Sequence, residues 1–295
     1  MKFGVHRLTW GDYFDANDLK TFFAQVRETG ADTVEFRPPD PTLNGDWAKT
    51  AEIRKMAEDA GIELLFCFGY PLGLDMRAAD PFARQYAAEH LKRAVEAAAR
   101  LGGTEIGGVL YSNWPTDYAH DKITPAVKRE RALRCIETLR MVMPTAEDFG
   151  IQINLEVLNR FEDYIINTVA EGLEFIRQIE SDRCGLVLDV FHMNIEEDDL
   201  LAAIRSAKGH IGQFHATEPN RRIPFAGGRI PWGEVGKALR DIGYDGTVTM
   251  EAVMAFDSAA YNLRMWRDQM PDTSMEARIS AMRQGLEFLR EQFQG

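Results

Sequence analysis

Cysteine, basic charge and long apolar runs are all scarce in this chain of 295 residues. Its three cysteines, Cys67, Cys135 and Cys184, are odd in number, widely spaced and free of any CxxC pair. A disulfide framework and a thiolate zinc site are therefore not expected, and all three are read as packed thiols. Lysine and arginine total 34 against 46 aspartate and glutamate, and the formal charge of −12 repels a phosphate backbone, so nucleic acid is not an expected partner. The opening, MKFGVHRLTW, meets polar residues before the apolar stretch of a signal peptide can form. No later stretch approaches the ~20 apolar residues of a membrane span. A cytoplasmic protein without membrane contact is expected. No low-complexity linker divides the chain, and a single barrel of about 250 residues fits its length, so one domain over 1–295 is expected.

What is present is alternation. Short β-like runs near residues 3–9, 33–37, 63–68, 104–110, 151–157, 185–189, 211–215 and 247–251 are each followed by a helical pattern, the signature of parallel strands joined by crossover helices. Val169, Leu173, Ile176 and Ile179 share one helical face, and Thr168 with Glu171 forms a capping box at its start. A last helix from about Ser274 carries Ile279, Met282, Leu286, Leu289 and Phe293 on one stripe and would close a ring. Three connections, 111–125, 216–232 and 252–273, are longer than usual, and long loops of this kind often carry function.

Polar placement separates a (β/α)8 barrel from an open doubly wound sheet. Glu156, Asp189, His215 and Glu251 close the last four strand runs, at the ends where barrels keep their active sites. Strand alternation agrees: with these four turned inward, Ile151, Ile153, Leu155, Leu186, Leu188, Phe214, Val248 and Met250 all face the helices. Asn154, Val187, Gln213 and Thr249 then form the inward layer beneath, and three of them can hydrogen-bond to orient the four above. Three carboxylates and an imidazole crowded together repel without a cation, and oxygen-rich ligation with one histidine suits Mn²⁺, Mg²⁺ or Co²⁺.

Local sequence is more specific still. The runs LEVLNRFEDYIINT at 155–168, LDVFHMNIEED at 188–198, HATEPNR at 215–221 and GRIPW at 228–232 closely resemble the D-tagatose 3-epimerase and D-psicose (allulose) 3-epimerase family. The resemblance runs from about Gly4 to the last helix and implies a xylose-isomerase-like barrel, Mn²⁺ or Co²⁺, epimerisation of free ketoses at C3, and a homodimer or homotetramer. By matching motif position, its metal ligands fall on the same Glu156, Asp189, His215 and Glu251, and its substrate contacts on Glu162, His192 and Arg221. The run YSNWP places its sugar-stacking aromatic at Trp114. The chain departs from the family at His6, where a tyrosine is common, at Phe68, and at Ala252, where a proline usually follows the last glutamate. These departures bear on which ketose is bound, and His6 joins the expected substrate contacts.

Individual residues keep plainer readings. His192 reads as a loop residue beyond the sixth strand. Arg221 either donates to a polyol or pairs with Glu218; Trp114 either stacks on a sugar or plugs the barrel mouth; Glu35 is either a buried ion-pair member or a catalytic group. His90, His120 and His210 show no ligand spacing and read as surface residues. A cation bridging the oxygens on C2 and C3 would stabilise the enediolate formed when C3 loses its proton, and Glu156 and Glu251, on strands separated by two others, would serve as acid and base on opposite faces. A free ketose is expected, because no glycine-rich phosphate cradle appears. The alternative is aldose–ketose isomerisation on the same site. Phosphoester cleavage at abasic DNA would need more histidines than the 6 present and a basic groove.

Overall fold

The computed structural model describes residues 1–295 apart from 71–72, 115, 117–121, 258–262 and 295. Eight strands form a closed barrel in chain order: β1 (Lys2–His6), β2 (Thr33–Phe36), β3 (Glu63–Cys67), β4 (Glu105–Gly108), β5 (Gln152–Glu156), β6 (Cys184–Asp189), β7 (Ile211–Ala216) and β8 (Thr247–Met250). All pairings are parallel, and β8 returns to β1 with Phe3 opposite Val248 and Val5 opposite Met250, so the sheet keeps no open edge.

Two strands are shorter than their apolar runs suggested. β1 ends at His6, whose Nδ1 accepts the Leu8 amide at 3.2 Å, and the chain tightens into a 3₁₀ segment, Arg7–Tyr13. β4 ends at Gly108, where φ is 109° and a Cβ would lie 2.7 Å from the Phe68 carbonyl oxygen; only glycine fits there.

Helices coat the barrel, and their first turns are fixed by short polar side chains. Asp18, Asp46, Asp80, Thr124, Thr168 and Asp199 each accept a backbone N–H from the helix that follows. The capping box at Thr168 is only half formed: Thr168 takes the Glu171 amide, but the Glu171 carboxylate reaches the Asn167 amide instead of that of Thr168. The final helix, Met275–Gln294, buries Ile279, Met282, Leu286, Leu289 and Phe293 as its stripe required, with the Phe293 ring edge-on to Phe3 at 6.1 Å. Among the described residues, no helix is long and apolar enough to cross a membrane.

Strand parity holds: Ile153, Leu155, Leu186, Leu188, Phe214, Val248 and Met250 are fully buried in the core that joins strands to helices. The barrel interior is polar instead. Asn154 and Gln213 fill it against strand glycines, since a Cβ on Gly212 or Gly107 would fall 2.0 Å from one amide or the other. Asn154 Nδ2 donates to Glu105 Oε2 at 2.8 Å. Burial, reinforced by the charge of Glu35, pushes the Glu105 carboxyl from 4.5 up to about 7.

A raised acid holds its proton in the folded state after the unfolded chain has released it, so stability falls as pH climbs from about 4.5 through 7. Glu105→Gln should remove that loss. Urea unfolding at pH 5 and pH 8 is expected to show the variant gaining on the parent at the higher pH; an equal gap at both would show that Glu105 titrates normally.

Candidate active site

Glu156 is the last residue of β5, Asp189 the last of β6, His215 lies in β7, and Glu251 directly follows β8. Each is less than a tenth exposed, and one donor atom from each lies within 4.8 Å of all the others. Three carboxylates and one imidazole so close together fit a divalent cation that prefers oxygen with some nitrogen.

Arg221 also enters this cluster. Its Nη1 stands 2.5 Å from Asp189 Oδ2 and 2.9 Å from Glu251 Oε2, while its guanidinium lies 4.0 Å from the centre of the Phe191 ring. The alternative reading of Arg221, a pair with the Glu218 carboxylate, does not form, because that carboxylate takes the Arg229 amide and the Trp232 indole. Only the Arg221 amide meets Glu218, at its carbonyl, in a turn where Arg221 adopts a left-handed φ of 59°. Burial raises both glutamates, and for Glu156 it prevails, with the charge of Glu251 adding to it. For Glu251 the positive charge of Arg221 and the His215 hydrogen bond overcome burial and hold the carboxyl well below its ordinary range.

Both histidines at the site are fixed by neighbours. His215 faces Glu251 Oε2 at 3.1 Å through Nδ1 and Glu35 Oε2 at 3.0 Å through Nε2. Burial alone would lower its pKa; Glu35 and Glu251 outweigh that and raise it well above the ordinary value. Glu35, fully buried on β2, is thus the carboxylate behind His215. The expectation that Asn154, Gln213 and Thr249 would orient the four candidate ligands is not met, since among the described residues none of them bonds to a ligand side chain. His192 lies not in a loop but in a short helix, Val190–Glu196, and is 1% exposed. Its Nδ1 meets the Asn159 backbone amide at 3.1 Å and Asn159 Nδ2 at 2.7 Å, which turns Nε2 toward Glu156 Oε1 at 3.4 Å.

A pocket of about 360 Å³ opens above the cluster, lined among others by His6, Phe68, Trp114, Glu162, His192 and Arg221. Trp114 donates its indole N–H to Glu162 Oε2 at 2.9 Å, and Asn159 Nδ2 holds Glu162 Oε1 at 3.0 Å. Beneath them, fully buried Asp163 collects Ser112 at 2.7 Å, Thr116 at 2.5 Å and Arg77 at 3.2 Å on Oδ2, joining the loops after β3, β4 and β5.

The five expected substrate contacts therefore share one pocket. Ala252 is buried outside its lining, although Phe68 belongs to it. Cys135 and Cys184 are packed thiols, whereas Cys67 lines the pocket with Sγ 3.2 Å from His6 Nε2. His210 is exposed, His90 is half-buried with its ring 5.4 Å from that of Phe68, and His120 lies outside the described residues. Asn159 stands inside the LEVLNRFE run with no spacing that marks it, and inward parity alone marks Glu35.

Comparison with known proteins adds a second line of support. Residues 23–292 match the family described as xylose isomerase-like TIM barrel. The chain is 37% identical over 270 residues to D-psicose 3-epimerase of Ruminiclostridium cellulolyticum, covering 91% of this chain and 89% of that one. It is 31% identical over 277 residues to L-ribulose 3-epimerase of Mesorhizobium japonicum, covering 92% and 89%. A crystal structure of D-psicose 3-epimerase with D-tagatose from Clostridium cellulolyticum superposes with a TM-score of 0.92 at 34% identity, covering 99% of both chains.

If Glu35 orients His215 for a cation, Glu35→Gln should weaken divalent-ion affinity about 10–100-fold while leaving the circular dichroism spectrum unchanged. Competition against a chelating dye measures this, and an affinity within twofold of the parent would remove Glu35 from the site.

Proposed function

The chain belongs to the xylose isomerase-like TIM-barrel family, and from that premise we propose that it is a ketose 3-epimerase, an isomerase that interconverts free ketoses differing at C3. The observation that carries this reading is the convergence of Glu156, Asp189, His215 and Glu251 within 4.8 Å at the barrel mouth, beneath a pocket of sugar size. These four would hold Mn²⁺, with Co²⁺ or Mg²⁺ as substitutes. When bound, the cation supplies positive charge that makes the proton on the carbon beside the ketose carbonyl easier to remove.

The protein's own groups handle the proton. Glu156 and Glu251 reach the pocket from strand ends separated by β6 and β7, so they address a bound carbon from two sides. One removes the C3 proton and the other returns a proton to the opposite face, which inverts the centre. Glu251 engages Arg221 and His215 through Oε2, and among the described residues its Oε1 takes no hydrogen bond, leaving that oxygen for proton transfer. Glu162, His192 and Arg221 supply donors and acceptors for the sugar hydroxyls, Trp114 covers one face of the ring or chain, and His6 contacts its far part. By resemblance, we also infer a homodimer or homotetramer, which sedimentation tests.

In D₂O, the Mn²⁺-loaded protein should place deuterium at C3 of D-fructose, D-tagatose or D-ribulose and yield the C3 epimer. Aldose formation with label at C1 or C2 would instead establish the isomerase alternative. Thorough chelation should abolish turnover, and Mn²⁺ or Co²⁺ should restore it; full activity without metal would sink the metal-dependent reading. Glu156→Gln and Glu251→Gln should each retain bound metal yet lose about 10²–10⁴-fold in epimerisation rate. Near-parental turnover in either would shift the role to Glu162 or His192.

A further inference from the structure

His6, Glu35 and Cys67 form a second cluster in the pocket, beside the four candidate ligands. One donor atom from each lies within 4.8 Å of the other two. They come from three neighbouring strands: His6 is the last residue of β1, Cys67 the last of β3, and Glu35 stands one before the end of β2, opposite His6. The barrel thus gathers an imidazole, a carboxylate and a thiol at one level. All three line the pocket, so they are reachable from its mouth.

The donors of this cluster are incompletely used. Glu35 gives Oε2 to His215 at 3.0 Å, while its Oε1 is buried and, among the described residues, takes no hydrogen bond. A carboxylate oxygen shut away from water regularly has a partner, and one without it is a costly arrangement. His6 turns Nε2 to Cys67 Sγ at 3.2 Å. Its other nitrogen, Nδ1, lies 3.2 Å from the Leu8 amide and 3.9 Å from Glu251 Oε1. Burial and the charge of Glu35 hold the Cys67 thiol well above its ordinary range, so without a cation it keeps its proton.

Sulfur, nitrogen and oxygen together select a softer ion than the oxygen-rich set beside them. We propose that His6, Glu35 and Cys67 are a second cation site, for Zn²⁺ or another thiophilic divalent ion, whose occupation blocks the pocket. Once the thiol has passed its proton to water, carboxylate and thiolate supply two negative charges, which match a divalent ion. Three protein ligands leave a fourth position for water. Ligation through Nε2 places the imidazole proton on Nδ1, which gives up the Leu8 contact and faces Glu251 Oε1, the oxygen left for proton transfer. His6 is also the residue assigned to the far part of the sugar, so ion and ketose compete. The site itself does not depend on the epimerase reading; only its effect on turnover rests on it.

The test titrates the Mn²⁺-saturated protein with Cd²⁺, a thiophilic probe, and reads ultraviolet thiolate-to-cadmium absorption alongside the paramagnetic resonance of released Mn²⁺. The absorption should saturate at one Cd²⁺ per chain, whatever Mn²⁺ is released. Cys67→Ser should abolish it while keeping Mn²⁺ affinity. His6→Gln should weaken Cd²⁺ binding by more than the ~10–100-fold that loss of an outer partner costs a metal site. Zn²⁺ should inhibit C3 exchange of D-fructose competitively in the parent, and about tenfold less strongly in Cys67→Ser. Absence of the sulfur absorption, or Cd²⁺ binding to Cys67→Ser as tight and with the same stoichiometry as to the parent, overturns the proposal. If the absorption forms as expected and no ketose exchanges at C3 even without Zn²⁺, the ion site stands and the epimerase reading falls.

Discussion

Mutual repulsion among Glu156, Asp189 and Glu251 is the constraint around which this molecule is arranged. Three carboxylates within 4.8 Å of one another at a buried barrel mouth are tolerable only when positive charge is held among them. His215 and Arg221 provide part of that charge through the protein itself, and a divalent cation fits the remaining demand. The backbone reflects the same need. Arg221 occupies a left-handed conformation that a non-glycine residue adopts at some cost, and the turn that requires it brings the guanidinium onto Asp189 and Glu251.

Around this centre, support is layered by dielectric depth. Glu35 backs His215 from below, Asn159 fixes His192 from the side, and Asp163 ties down the loops that carry Trp114 and Glu162. Each is itself buried, so each hydrogen bond is made where water competes poorly. The chemistry-bearing half of the pocket is consequently held by buried hydrogen bonds, while Arg7 and Arg37 on the wall after β1 to β3 are less buried.

Much of this was legible in the sequence because it follows from period and charge. Strand alternation alone puts Glu156, Asp189, His215 and Glu251 on the same side, and the apolar stripe from Ile279 to Phe293 marks the closing helix. What escaped depended on pairs distant in the chain. Glu35 and His215 are separated by 180 residues, so their contact is set by barrel closure and by no local pattern. The role expected of Asn154, Gln213 and Thr249 failed for a related reason: glycines at 107 and 212 let the amides pack downward into the barrel instead of upward to the ligands. β1 and β4 ended early because His6 caps a 3₁₀ segment and Gly108 turns, effects of single residues that an average over apolar character hides.

The knot at Asp163 carries a lesson for anyone recasting this protein. One carboxylate oxygen is shared by side chains from the segments after β3 and β4, and its own residue adjoins Glu162 after β5. Those three connections are therefore a single structural unit: a graft that replaces one must import the other two or leave a charged atom stranded in the interior. The connections after β1 and β2 take no part in that knot. Their pocket-lining side chains, Arg7 and Leu8 after β1 and Arg37 after β2, can therefore be exchanged without breaking the hydrogen bonds that Asp163 collects.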